Sequence, residues 1–193
     1  RYFRLSDALS IREDLESIDQ GGLIPLGTVT IVEDRFKTRN EFHGAQVGAN
    51  FEFDQDLWSI AFLGKLAMGD LRRTVDIQGD TVVAIPALPA TTTAGGLLAQ
   101  STNIGRYGSS RFAVLPEFGV QGRLRLTRRL DFTLGYSLLL LNDVARSGAQ
   151  VDRVVNPTQI GAQPLVGPAR PRFELVDSDF WMQSLNLGAE FRW

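Results

Sequence analysis

The chain has 193 residues, a formal net charge of −2 and no cysteine. This length corresponds to about one domain, the charge gives no reason to expect nucleic acid as a partner, and the lack of cysteine excludes disulfides, thiolate catalysis and cysteine metal sites. The sequence contains no run of 18 apolar residues, which leaves a closed β-barrel as the only way in which it could span lipid.

Alternation of apolar and polar residues predicts six strands in this chain. The first strand covers residues 1–11, with an apolar odd-numbered face and Arg4 on the other side. Residues 12–39 carry Gly-Gly, Pro and many charges, and predict a long loop with a short strand of its own at 28–32. Because the chain begins within a strand-like pattern, we expect further strands to precede Arg1.

The next two strands are predicted to form a hairpin. Residues 40–53 and 57–73 both alternate, and residues 54–56 (Asp-Gln-Asp) have the composition of a tight turn. A helix over 57–73 is the alternative, because this segment is densely apolar. However, Gly64 and Gly69 would weaken a helix, and a period of two fits the apolar residues better.

A second pair of strands follows a second long loop. Residues 74–105 are rich in Thr, Pro, Ala and Gly, a composition that is typical of a loop. Residues 111–126 show the clearest alternation in the chain, and a short turn at 127–129 leads into the fifth strand, residues 130–142.

The last strand, residues 180–193, follows a third long loop at 143–178. It has one apolar and one polar face over a length that is sufficient to cross a bilayer as a tilted strand, which requires about 9–11 residues. Its last residues are similar to the carboxy-terminal assembly signal of bacterial outer-membrane barrels. That signal is carried by Asn186, Gly188, Phe191 and Trp193. The last strand of a soluble β-sandwich is the alternative.

The predicted connections alternate between long and short along the chain. Outer-membrane barrels have short periplasmic turns and long extracellular loops, whereas a soluble sandwich has no reason to sort its loops in this way. The chain is therefore predicted to be all-β and to hold about the last six strands of an antiparallel up-and-down transmembrane β-barrel with long extracellular loops. Open sheet edges cannot lie in lipid, so we expect eight to twelve strands in the complete barrel. Residues 1–193 would then be the carboxy-terminal part of a single outer-membrane β-barrel domain.

Polar side chains on one face of these strands form the first candidate site. They are expected to line the lumen and comprise Arg4, Gln46, Glu52, Lys65, Arg111, Glu117, Gln121, Arg123, Arg125, Asp131, Glu190 and Arg192. Both signs of charge are present, which predicts either a salt-bridged plug or a selectivity lining. We favour the plug, because many of the inward charges have candidate partners of opposite sign.

Aromatic residues near the strand ends form the second candidate set. They are expected at the lipid interface, where aromatic rings meet headgroups. The set comprises Phe51, Phe53, Trp58, Phe132, Phe180, Trp181, Phe191 and Trp193. The alternative is that these rings fill the core of a soluble protein.

Short phrases spread along the whole chain carry a family resemblance. They are RYFRL at 1–5, RNEFHGAQVG at 39–48, GKLAMG at 64–69, NIGRY at 103–107, RFAVLPEFG at 111–119, DRVVNP at 152–157, GPARPRF at 167–173, DSDFW at 177–181 and GAEFRW at 188–193. Together they resemble the β-barrel porin family seven of planctomycete outer membranes. The resemblance implies an outer-membrane barrel whose first strands precede Arg1, and it brings no catalytic residue with it.

These features predict a porin-like or structural protein of the bacterial outer membrane, without cofactor or metal. The alternative is an envelope-assembly or surface-binding module, which would act through its extracellular loops on a polysaccharide, a coat or a partner protein without conducting solutes. Expected partners are outer-membrane lipid and lipopolysaccharide, the barrel-assembly machinery during insertion, and an envelope or surface-layer component at the loops.

A membrane-embedded enzyme is the third hypothesis, and the sequence disfavours it. The single histidine, His43, would have to act as the base, near Glu41 or a serine such as Ser109 or Ser110. No G-x-S-x-G motif and no metal-ligand cluster accompanies it. We therefore predict that the protein is not an enzyme.

Overall fold

The computed structural model describes residues 1–18, 21–159 and 164–192. The strands are β1 (Tyr2–Glu16), β2 (Val29–Asp54), β3 (Trp58–Ala84), β4 (Thr91–Ala94), β5 (Gly105–Arg125), β6 (Leu130–Ala145) and β7 (Asp177–Phe191). Two short 3₁₀ helices, Ser147–Gln150 and Pro157–Gln159, lie between β6 and β7. The all-β class predicted from the sequence is confirmed.

The strands form one antiparallel sheet that curls into a half-barrel. Their order is β1-β2-β3-β5-β6-β7, and the short β4 pairs with the end of β3. The short connections at 55–57 and 126–129 lie at one end of the sheet, called here the turn end. The long connections lie at the opposite end, called here the loop end.

Several strands extend further toward the loop end than the sequence predicted, and β2 and β3 reach 26 and 27 residues. Parts of the predicted loops are therefore strand instead. These parts are residues 12–16, 33–39, 74–84, 91–94, 105–110, 143–145 and 177–178, while the short strand predicted at 28–32 lies within β2 apart from its first residue. Their composition, rich in charged residues, Thr and Gly, resembles that of a loop, because their outward-facing side chains are polar.

Side chains from strands that are not neighbours meet on one face of the sheet, which is its concave face. The rings of Phe3 and Phe180, on the two edge strands, have centroids 5.9 Å apart. The guanidinium of Arg1 lies 3.0 Å from the carboxylate of Glu117 on β5. The opposite face is the convex face.

The ribbon formed by β6 and β7 leaves the sheet toward the loop end and leans across the concave face. β5 pairs with β3 along nearly its whole length, but with β6 only as far as Glu117. Beyond that point β6 approaches β2, where the backbone of Ala145 bonds to the side chain of Asn40. Asp143, at a φ of 62°, lies within the bulge that accompanies this bend.

Two apolar clusters fill the space between the ribbon and the sheet. The first contains Phe42, Ala67, Leu71, Ala113, Leu115, Leu139, Leu141 and Val144. The second contains Phe36, Val75, Ile77, Ala99 and Ala145. The core of the described structure thus lies on the concave face, in the half nearer the loop end.

Candidate functional site

The convex face of the turn-end half is apolar and exposed. On β3, the side chains of Trp58, Phe62 and Met68 are 45%, 47% and 43% exposed. The other strands of this half continue the surface, which we call the apolar band. It comprises Val47, Phe51, Phe53, Trp58, Phe62, Leu66, Met68, Phe112, Val114, Phe118, Val120, Leu124, Phe132, Leu134, Tyr136, Trp181, Leu185, Leu187 and Phe191. Soluble monomers rarely expose a contiguous apolar patch larger than about 600 Å², whereas this band extends over five adjacent strands.

The height of the apolar band follows from its register. On β6, the half-buried Leu130 and Leu140 extend it on the same face at its two ends, and ten residue steps separate them. At about 3.4 Å per step and a strand tilt of about 40°, this corresponds to a height of about 25 Å. The apolar belt of outer-membrane barrels has about the same height.

Most of the predicted interface aromatics lie on this convex face. Phe51, Phe53, Trp58, Phe132 and Phe191 are near the turn end, and Trp181 is at the opposite margin of the band. Trp193 lies outside the described residues.

Phe180 lies on the other face, contrary to the prediction. Its ring packs on the concave core and against Phe3. Because neighbouring side chains of a strand point to opposite faces, Phe180 and Trp181 cannot both be on the convex face.

The concave face of the turn-end half is polar. The register places most of the predicted inward residues on this face. They are Gln46, Glu52, Lys65, Arg111, Glu117, Gln121, Arg123, Arg125, Asp131, Glu190 and Arg192, with Arg111 nearest the loop end.

Arg4 is the exception, and it lies exposed on the convex face opposite Glu41 of β2. The apolar face of β1, with Phe3 and Leu5, packs on the concave core instead. The prediction failed for Arg4 because it assumed that the apolar face of every strand points outward.

Ion pairs join several of the concave charges. Glu117 lies 3.2 Å from Lys65 and 3.0 Å from Arg1. Near the turn end, Asp131 lies 3.5 Å from Arg125 and 3.2 Å from Arg192. The pairs of Lys65, Arg125 and Arg192 connect neighbouring strands of the half-barrel wall, whereas Arg1 reaches across the concave face to Glu117.

An open concavity of about 550 Å³ lies on the same face between the two groups of ion pairs. Its walls include the polar side chains of Asn50, Gln121, Thr133 and Asn186. The arrangement is a polar, partly charged wall around open space.

The polarity of both faces reverses toward the loop end. On the convex face of β3, Met68 is followed by Asp70, Arg72 and Asp76, while Leu71 and the residues after it turn apolar side chains into the concave core. This half follows the rule for a soluble sheet, with apolar residues buried and charges in solvent. The change is visible in the sequence of β3. Most of its apolar residues occupy even-numbered positions up to Met68, and odd-numbered positions from Ala67 onward.

A buried clamp attaches the β6–β7 ribbon to β2. The side-chain Nδ2 of Asn40 donates to the backbone carbonyl oxygen of Ala145 at 2.8 Å, and the side-chain Oδ1 of Asn40 accepts from the backbone N–H of Ala145 at 2.7 Å. Both residues are fully buried. Sequence reasoning missed this contact, since 105 residues separate its partners.

A buried arginine, Arg73, joins four strands at the level of Asn40, its register partner on β2. Arg73 of β3, 5% exposed, donates to the carbonyl oxygen of Asp143 at 3.0 Å, to Oγ of Ser109 at 2.8 Å and to the carboxylate of Asp177. Arg111 also contacts Asp177, at 3.1 Å. Arg73 was predicted only as part of a strand end, because its partners come from distant parts of the chain.

The long connection between β6 and β7 is held together by Asp152. Its carboxylate accepts hydrogen bonds from Arg170 at 2.8 Å, from the N–H of Arg172 at 2.9 Å and from the N–H of Val154 at 3.0 Å. Partial burial by itself raises the pKa of Asp152, but the hydrogen bonds and the charge of Arg170 outweigh this and hold the pKa below its ordinary value of 3.8.

This lowered pKa predicts that the loop loosens in acid. A carboxylate whose folded pKa is depressed stabilises the fold above its unfolded pKa, and this contribution is lost as the pH falls through the folded pKa. Below about pH 4, the amides of Val154 and Arg172 should therefore lose protection from hydrogen exchange about three- to tenfold, after correction for intrinsic rates. Asp152→Asn should show this faster exchange already at pH 5. Unchanged protection in that variant would contradict the assignment.

The described residues contain two short 3₁₀ helices and the single histidine of the chain. No helix among them has the length and apolar character needed to cross a membrane. They include no group of three or more His, Asp or Glu side chains placed to hold a metal ion. His43 lies at the margin of the apolar band, where its ring is 4.8 Å from that of Tyr2.

Comparison with known proteins agrees with this geometry. Searches of curated proteins and of solved structures gave no significant match. One family model matches residues 1–193, which is the whole chain, and the family is described as "Putative beta barrel porin-7 (BBP7)". The chain therefore belongs to the beta barrel porin-7 family.

Proposed function

We propose that this chain is part of an outer-membrane β-barrel of the porin type, whose polar concave face lines a solute path. One observation carries the proposal: the strands of the turn-end half turn apolar side chains outward and polar side chains inward. This is the arrangement of a transmembrane barrel and the reverse of a soluble sheet.

The loop-end half supplies an internal comparison. There the same strands, such as β3, bury apolar residues and expose charged ones. A single chain that buries apolar side chains in one half and exposes them in the other is in contact with a different solvent in each half. Water surrounds the loop-end half, and lipid is the solvent that fits the apolar band.

The connections orient the barrel in the membrane. Short turns are periplasmic and long loops extracellular in barrels of this kind, so we place the loop end outside the cell. A barrel in lipid has no open edge, so β1 and β7 need further strands between them, to a total of eight to twelve.

The outer mouth of this half-barrel is narrow in our proposal. The β6–β7 ribbon leans over the concave face, where Phe36 and Phe42 of β2 and Leu141 of the ribbon are buried between the ribbon and the sheet. Toward the periplasm the concave face is polar and partly open. We infer that the concave charges line the path, while the ribbon and its apolar core form the constriction.

Contacts among the described residues of the β6–β7 connection support a second candidate function, in which the loops bind a surface polysaccharide, a coat or another envelope protein. Asn156 donates to the carbonyl oxygens of Val166 and Pro168, and the rings of Tyr107 and Phe173 stack at 3.6 Å. Long ordered loops are commonly functional.

Single-channel conductance of the intact protein in planar bilayers separates these two functions. A constricted pore should give small, ohmic steps that respond to substitution of Glu117 or Arg123 on the concave face. Silence from a correctly folded, heat-modifiable barrel would reject the pore and favour the loop-binding module.

A further inference from the structure

Five cations lie together on the convex face, immediately beyond the loop-side margin of the apolar band. They are Arg4 of β1, Lys37 and Arg39 of β2, Arg72 of β3 and Arg106 of β5, and all five are exposed. We call this group the basic strip. Neighbouring strands lie about 4.8 Å apart and residues advance about 3.4 Å along a strand, so the strip covers about 15 Å in each direction.

The cations of the basic strip have no ion-pair partner among the described residues. By contrast, two cations of the same face nearer the loop end are paired, Arg12 with Asp14 at 3.1 Å and Arg35 with Asp80. Within the strip, the one side-chain hydrogen bond runs from Nε of Arg4 to Oγ of Ser6, at 3.3 Å.

Acidic side chains do not neutralise the strip. Glu41 and Asp76 stand among the five cations in the strand register, which leaves an excess of three positive charges. Asp70, one same-face position from Arg72 toward the band, accepts a hydrogen bond from Oγ of Ser110. Asp76 also accepts a hydrogen bond from the amide of Gln78 at 2.8 Å. The strip therefore presents hydrogen-bond donors and positive charge that are exposed and have no ion-pair partner among the described residues.

A groove lies between the side chains of the basic strip. Its open volume is about 390 Å³. Its walls include the cations Arg4, Lys37, Arg39 and Arg106, the hydroxyl-bearing Thr74 and the carboxylates of Asp7 and Asp76. Asp7 is paired with Arg146 at 3.1 Å, so the cations remain in excess. Guanidinium groups bind phosphate through paired, charge-assisted hydrogen bonds, and a lysine adds a compact charge. The groove is thus suited to a phosphate-bearing group.

The height of the two cations nearest the apolar band, Arg4 and Arg72, bears on the source of the phosphate. The rings of Tyr2 and His43 are in tilted contact at the margin of the apolar band, and Arg4 is one same-face position beyond Tyr2 on β1. That step advances about 7 Å along the strand, so Arg4 and Arg72, which share one level in the register, enter the layer of about 6 Å that lipid headgroups occupy beyond the hydrocarbon. Arg39, Lys37 and Arg106 lie two to four residues further toward the loop end.

We propose that the basic strip binds the phosphate groups of a phosphorylated glycolipid in the outer leaflet, of the lipopolysaccharide type. This inference rests on the proposed function, because insertion in the membrane brings the strip to the headgroups. The lipid would neutralise the strip and fix the barrel's vertical position.

Titration of the intact protein in neutral detergent with bisphosphorylated lipid A tests the proposal. The variant is Arg39→Gln/Arg72→Gln. The matched control, Arg128→Gln/Arg129→Gln, removes the same charge from the turn at 126–129, beyond the opposite margin of the band. We expect about tenfold or greater weakening of lipid A binding in the strip variant and less than about twofold in the control.

Two further probes identify the ligand class. Phosphatidylcholine and inorganic phosphate should bind the wild type much more weakly than lipid A. Equal weakening by both charge variants, or none by the strip variant, would overturn the site. Binding of inorganic phosphate as tight as that of lipid A would overturn the lipid source.

Folding and insertion are measured alongside binding. Heat-modifiable migration checks that each variant is folded, and Lys37→Gln/Arg106→Gln serves as a second strip variant if the first does not fold. If the wild type does not insert into vesicles, the proposed function fails. If it inserts but both strip variants bind lipid A unchanged, only the lipid site fails.

Discussion

Replacing Asn40 by Leu is expected to lower the free energy of unfolding by about 3–5 kcal/mol. Leucine is similar in size but offers neither donor nor acceptor, so the buried N–H and C=O of Ala145 both lose their side-chain partner. Each unsatisfied buried group costs about 1–3 kcal/mol. Urea unfolding of the protein in phospholipid vesicles measures this change.

Asn50→Leu is the matched control for this variant. Asn50 lies on the concave face of the same strand, exposed in the turn-end half, and borders the open concavity. Its replacement should change the free energy of unfolding by less than about 0.5 kcal/mol. Equal losses in the two variants would mean that the clamp contributes nothing specific.

The Asn40 variant also tests the constriction at the outer mouth. Without the clamp, the β6–β7 ribbon is held less firmly against β2, so we expect larger conductance steps than in the wild type. A loss of stability with unchanged steps would show that the ribbon does not limit the current.

Replacing Arg73 by Met is expected to cost about 2–4 kcal/mol of unfolding free energy. The substitution leaves the carbonyl oxygen of Asp143 and the hydroxyl of Ser109 without this donor, and Asp177 with Arg111 alone. Since Asp177 is about one-third exposed, water offsets part of the loss, and we expect less than the full cost of breaking a buried ion pair.

Arg123→Met provides the comparison for Arg73. Arg123 lies on the concave face of β5, is exposed and has no ion pair among the described residues. We expect a change of less than about 0.5 kcal/mol on urea unfolding in the same vesicles. A cost for Arg73→Met no larger than this would contradict the role of Arg73 in fastening the ribbon.

Strand alternation made the turn-end half predictable. In β5, the sequence alone separates Phe118 and Val120 from Gln121 and Arg123, and the register puts the two pairs on opposite faces. Alternation is local, so it needs no knowledge of the strand's neighbours.

The loop-end half was harder to predict, because the same alternation changes its meaning there. Arg4 was assigned to the wrong face because its strand end lies beyond the apolar band, where apolar side chains point inward. Phe180 lies at the margin of the band, where its neighbour Trp181 takes the convex face and Phe180 the concave one. No single residue indicates the point at which the solvent changes along a strand. This point emerges from the register with neighbours such as Phe42, which packs in the same cluster as Phe180.

The contacts that fasten the ribbon were beyond sequence reasoning altogether. Asn40 and Ala145 are distant in the chain, and so are Arg73 and Asp177, which 104 residues separate. Neither pair forms a motif. Their proximity depends on the bend by which β6 and β7 leave the sheet, which no local pattern indicates.

A single-cysteine scan along β5 tests the central claim that the apolar band faces lipid. The chain has no cysteine of its own, so a spin label can be placed at each position from 112 to 124 in vesicle-reconstituted protein. We expect labels at even-numbered positions such as Phe118 and Val120 to collide mainly with oxygen, which dissolves in lipid. Labels at odd-numbered positions such as Gln121 and Arg123 should collide mainly with a water-soluble nickel chelate. Equal access of the chelate to both sets would contradict the account.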